Sequence, residues 1–119
     1  SVMSTLGAYR AFLPAVLELG DEENAHILAT GDLRRSQPDG HVCRMFRSRE
    51  VAELLEAGGG ELVAVSASHW TSLDHPEAVA QLEQTPERWA RYLDDEVEMA
   101  AEPGAVDGGT HILFAATPR

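Results

Sequence analysis

Five histidines, one cysteine and a scatter of hydroxyl and carboxyl groups are the residues of this chain best able to do chemistry. His41 and Cys43 stand two apart, the start of a metal-ligand pattern. A zinc site needs a second pair at ligand spacing, and His69, His75 and His111 do not supply one. Ser66, Ser68, His69 and Asp74 bring triad residue types together within nine positions. No nucleophile elbow surrounds them, and triad members normally converge from distant segments. These read as loop residues. Asp94, Asp95, Glu96 and Glu98 read as a solvated helix face, and Trp89 and Tyr92 as packing residues. Gly58, Gly59 and Gly60 suggest a phosphate loop only until polarity is considered. A phosphate cradle runs strand, glycines, helix, so that N-terminal amides face the anion, and here the helix comes first. No single residue carries a catalytic assignment.

The elements that would position these groups centre on residues 45–67, MFRSREVAELLEAGGGELVAVSA. Ser48 suits a helix N-cap, Glu50 the positive end of the dipole, and Val51, Leu54 and Leu55 fall at helical spacing. The glycines stop the helix at low conformational cost. Leu62, Val63, Ala64 and Val65 then read as a strand apolar on both faces, as in a sheet covered on both sides.

Upstream, Val2, Met3, Leu6, Tyr9, Leu13 and Val16 form a helix-like stripe, which Pro14 interrupts. The pattern predicts a loop over residues 1–6, then a helix over 8–19, bent or restarted near Pro14. An acidic loop at 21–23 and a strand at 26–30 follow, and residues 32–44 read as a surface loop. Downstream come a connection over 68–75, helices over 76–83 and 86–101, and a strand over 110–116. Thr85-Pro86-Glu87 is the clearest start signal, and Pro103-Gly104 ends that helix. The class is α/β, one domain over 1–119.

Twenty acidic residues oppose nine basic ones, all arginine, for a net charge of −11. Such a charge repels phosphates and argues against nucleic acid or acidic membranes as partners. It suits a soluble acidic surface or, given the missing lysine, a halophilic protein working where salt screens self-repulsion. One cysteine rules out an intrachain disulfide and fits a reducing cytoplasm. No apolar run approaches the length of a membrane span, and no signal peptide is evident. The chain starts without an initiator Met inside an amphipathic segment, the start expected of a fragment.

The runs HVCRMFRSREVAELLEAGGGELVAVSAS and PERWARYLDDEVEMAAEPGAVDGGTHILFAATPR resemble the C-terminal half of class I S-adenosylmethionine-dependent methyltransferases. In that family a helix and a G-[aromatic]-E-[apolar] strand follow the fifth strand, and a helical excursion and a final strand close the sheet. Gly60-Glu61-Leu62 departs from it by lacking the aromatic, and the family's cofactor signature, an acidic residue with G-x-G after the first strand, is nowhere in the chain.

The resemblance implies a partial Rossmann-like fold: a small three-stranded mixed sheet with the last strand antiparallel in the middle. It implies S-adenosylmethionine as cofactor, held by elements that would precede Ser1, so that this chain alone is inactive. It further implies that residues 1–4 border the methyl-transfer cleft as the loop after the fourth strand. His41, Cys43 and Arg44 then lie in the loop after the fifth, on the substrate side. Met3, Ser4, His41, Cys43 and Arg44 are thus the expected substrate-facing residues, toward a small-molecule acceptor. If strand 26–30 pairs upstream in the whole protein, its free edge and its apolar neighbours predict a homodimer or oligomer through segment 1–30. The alternative is a non-catalytic α/β interaction module of a halophilic cytoplasmic protein.

Overall fold

The computed structural model describes residues 1–36 and 43–119. Its elements run β1 (Val2–Met3), α1 (Thr5–Ala11), α2 (Leu13–Leu19), α3 (Asp21–Thr30), α4 (Ser48–Ala57) and β2 (Gly60–Ala67). A 3-10 turn (Thr71–Leu73), α5 (Pro76–Leu82), α6 (Pro86–Ala100) and β3 (His111–Pro118) complete the order. The class is mixed α/β. The sheet order is β1-β3-β2, so the last strand lies in the middle as expected. Both pairings are antiparallel, so the sheet is antiparallel rather than mixed.

Ile112 on β3, with no exposed surface, is the centre of the sheet. It pairs with Val2 on one side and Ala67 on the other. Burying one such side chain stabilises by about 1.5–3 kcal/mol. The helix α4 covers one sheet face, with Val51 buried and Phe114, Phe46 and Val2 along the seam. Leu113 is 43% and Val63 62% exposed, so the sheet is not covered on both faces as its apolar sequence implied. A bulge at Val63 displaces the β2–β3 register there.

The expected strand at 26–30 is the last half of helix α3. Asp21, Glu22 and Glu23, read as a loop, are its first turn. Carboxylates there meet the positive end of the helix dipole, worth about 0.3–1 kcal/mol each at low salt. Gly20, at φ 86°, turns the chain between α2 and α3, and the Asn24 Nδ2 group donates to the Val16 carbonyl at 2.7 Å. Local capping thus outweighs the β-like run HILAT. The break near Pro14 is as expected: α1 ends at Phe12, and Pro14 sits in the first turn of α2, where no N–H is missed.

Residues 1–6 are not a loop. They hold β1 and the start of α1, which Ser4 caps by accepting the Gly7 N–H at 3.1 Å. Gly7 itself lies so close to the Gly109 carbonyl that a Cβ would overlap it. At α4 the N-cap position belongs to Arg47, whose N–H donates to Glu50 Oε2 at 2.8 Å. Ser48, the expected cap, is the first helical residue and donates from its N–H and hydroxyl to Asp107, at 2.7 and 2.5 Å.

Candidate functional site

Two concavities flank α3. The first is a groove of 360 Å³ between α1, α2 and α3, closed below by Met3, Leu33 and Met45. Its walls are Tyr9, Phe12, Val16, Leu19 and Ile27, with Asn24 and Ser36 as the polar members. The floor is a small core in its own right: Ala8, Ile27 and Met45 are buried, and Met3 and Leu33 pack on them. The turn at Gly31 makes this possible. At φ 70° it ends α3, giving its N–H to the Ile27 carbonyl at 2.7 Å, while its own carbonyl accepts the Met45 N–H at 2.8 Å.

The second is a polar cleft of 650 Å³ lined by His26, Ala29, Thr30, Asp32, Arg34, Cys43 and Arg44. Most of its charges are already matched. Arg34 clamps the Asp32 carboxylate through its side chain and its backbone N–H, which holds that carboxyl at about 2. Arg44 pairs with Glu50 at 2.6 Å, donates to the Thr30 carbonyl at 3.2 Å and lies over the Phe46 ring at 4.7 Å. A guanidinium so engaged holds the entry to α4 rather than waiting for an anion.

The expected substrate-facing residues therefore separate. Met3 lines the groove, and its Sδ lies 3.9 Å from Cys43 Sγ, which opens on the polar cleft. Ser4 is fully buried. Its hydroxyl accepts from Gly7 and donates to the Asp107 carbonyl at 2.6 Å, so both its roles are used within the protein and it faces no substrate. Arg44 is exposed but tied as described, and His41 lies outside the described residues.

At the carboxyl end of β2 the triad residue types do not assemble. Ser68 Oγ accepts the His111 N–H at 3.1 Å, and Ser66 donates to the Ala67 carbonyl. His69 meets Ser72, and Asp74 meets Arg10 at 3.7 Å. The neighbourhood is instead organised by Glu96, which the sequence placed on a solvated face. Its carboxylate accepts the N–H groups of Trp70 and Thr71 at 2.6 and 3.0 Å and the Thr71 hydroxyl at 2.5 Å. Burial alone would raise the Glu96 carboxyl, but the Thr71 hydroxyl and the Trp70, Thr71 and Ser72 backbone N–H groups outweigh it and hold it below the usual range. Trp70, so fixed, lies under the Arg10 guanidinium at 5.4 Å and ties this loop to α1.

The glycine run at 58–60 does not form a phosphate cradle. The N–H groups of Gly58 and Gly59 are spent on the Leu54 and Glu56 carbonyls, closing α4 as a cap does. Among the described residues no cluster of three or more His, Cys, Asp or Glu could hold a metal ion, and no helix is long and apolar enough to cross a membrane. The groove was invisible in the sequence because the stripe through Leu6, Tyr9 and Leu13 was drawn across the break at Phe12. Once the helix restarts, Leu6 and Leu13 fall outside the groove, and Phe12 and Leu19, though themselves exposed, line it with Tyr9 and Val16. No family model, curated protein or solved structure matches this chain.

Proposed function

We propose that these residues are the substrate-side portion of a class I S-adenosylmethionine-dependent methyltransferase domain acting on a small molecule. The observation that carries the reading is the reversed final strand. β3 runs antiparallel to both β1 and β2, so β1 and β2 are parallel to each other. The chain passes from β1 through helices to β2, makes the α5–α6 excursion, and returns between the two. The resemblance implies that order, with one correction to its alignment. Val2–Met3, not 26–30, takes the place of the fifth strand, so residues 1–4 are that strand and its end rather than the loop before it.

In such sheets ligands lie beyond the carboxyl ends of the parallel strands, and Met3, the last residue of β1, forms part of the groove floor. Fold analogy alone is a weak warrant for chemistry, so the residues of the site must bear their own part. Among the described residues, Gly58 and Gly59 spend their N–H groups on α4 and the strands end at Met3, Ala67 and Pro118, so neither a free glycine loop nor an acidic strand end is offered to the cofactor. Their part is to shape and dry the acceptor side, where alignment is the main demand of methyl transfer.

Calorimetric titration of S-adenosylmethionine and S-adenosylhomocysteine into the 119-residue chain tests this division of labour; no micromolar binding is expected, and such binding would overturn it. The reading frame containing Ser1 tests the function. A strand followed by G-x-G and an acidic residue is expected upstream, with methyl transfer by the protein expressed from it. A frame lacking that segment favours the interaction module, for which Val97 and Leu17, each 70% exposed, would supply the contact surface.

A further inference from the structure

The groove between α1, α2 and α3 has the proportions of a small-ligand site and an asymmetry that selects among ligands. Its 360 Å³ falls within the roughly 300–1,000 Å³ typical of such sites, which are mostly apolar with a few placed polar groups. Both polar members come from well-anchored side chains. Asn24 is held through its Nδ2 on the Val16 carbonyl, which leaves the amide Oδ1 as an acceptor with no donor among the described residues. Ser36 donates to Glu23 Oε1 at 2.8 Å, so a carboxylate stands directly behind it.

The charges around the groove are one-sided. Glu23, behind Ser36, and Glu22 share a single guanidinium, Arg35, at 3.3 and 3.5 Å, and Glu18 on α2 and Asp21 on α3 add acidic groups on the same two helices. The other nearby arginines, Arg10 and Arg34, are engaged with Asp74 and Asp32. Among the described residues, an anion entering the groove meets more carboxylates than guanidinium groups, whereas a cation is drawn in.

We propose that the groove binds an amine with an apolar body, its protonated nitrogen at the Asn24–Ser36 end and its aromatic or alkyl part between Tyr9, Phe12, Val16 and Ile27. As the acceptor class of the enzyme, this rests on the methyltransferase reading, which sets the acceptor beyond the end of β1. As a binding site it rests on the groove alone.

Three isosteric probes test it: 1-naphthylmethylamine (cationic at pH 7), 1-naphthalenemethanol (neutral) and 1-naphthoate (anionic), titrated into the full chain by calorimetry. In about 0.1 M KCl the amine is expected to bind tightest and the naphthoate at least tenfold more weakly. The gap should narrow at about 1 M, where the screening length falls from about 10 to about 3 Å. Ala15→Phe fills the groove from an exposed position and should weaken the amine at least tenfold, with the circular dichroism unchanged. Glu18→Gln combined with Asp21→Asn touches no groove wall and should shrink the gap between amine and naphthoate.

Naphthoate or the alcohol binding as tightly as the amine overturns the proposal, as does full affinity in a folded Ala15→Phe. The outcome is separable from that of the methyltransferase reading. Amine binding without methyl transfer by the longer protein would remove the enzyme and keep the site; methyl transfer without amine binding would do the reverse.

Discussion

Ser4 shows how a residue with reactive chemistry can be wholly structural. Its hydroxyl closes the first turn of α1 and reaches the Asp107 carbonyl, with no surface exposed. Ser4→Ala leaves a buried N–H and a buried carbonyl short of a partner, at a cost of about 1–3 kcal/mol. Urea unfolding should register that loss, while binding in the α1–α3 groove stays unchanged. The resemblance made Ser4 a site candidate by placing residues 1–4 in a loop, and the hydroxyl's partner, 103 positions away, could not be read from the sequence.

Glu96 is the converse, a side chain read as solvated that in fact fixes a loop. Its carboxyl is lowered from the ordinary 4.5, so its stabilising contribution is fully present above about that pH and is lost as the pH falls through the lowered value. Glu96→Gln should therefore reduce stability at pH 7 and flatten the acid limb below pH 4.5. An acid limb identical to that of the wild type would mean that Glu96 stays protonated or unpaired.

Among the elements, those with strong end signals were legible. Pro86 after Thr85, the glycine stop after α4 and the restart near Pro14 all lie where the pattern put them. The helix α3 was not, because its last five residues are β-like when read without their first turn. What decides it is an acidic start and a left-handed end, both of them local and both present in the sequence as Asp21–Glu23 and Gly31. Gly31→Ala tests the end signal. Alanine is strained at φ 70°, and its Cβ would overlap the Met45 carbonyl. We expect a loss of more than about 1 kcal/mol, beyond the ordinary glycine-to-alanine range, and a weakened groove, read by thermal unfolding and amine titration. The short strand β1 was missed for a different reason. Two residues carry no periodicity, and only pairing with β3 makes them a strand.

For the whole molecule, a net charge of −11 sets the terms in which stability is measured. Compaction concentrates like charge, and salt relieves it, so the unfolding midpoint should rise from about 0.1 to about 2 M KCl. Full stability near zero salt would show a surface that is merely soluble. Salt should also favour self-association through segment 1–30, where Phe12 is 58% and Leu17 70% exposed. Strand addition at 26–30 is no longer a route, because that segment is helical. Sedimentation at the two salt concentrations decides it, a monomer at both counting against association.

The position of β3 also sets the order in which this chain can fold. Among the described residues, Val2–Met3 and Gly60–Ala67 have no strand partner except His111–Pro118, which follows both in the sequence. On a ribosome, β1 and β2 must wait without this shared partner until His111–Pro118 has cleared the exit. Joining them is then a late event between distant segments, slow by the rule that distant contacts close slowly. Cutting the chain just before His111 should leave β1 and β2 without the strand that joins them, while the local helices persist.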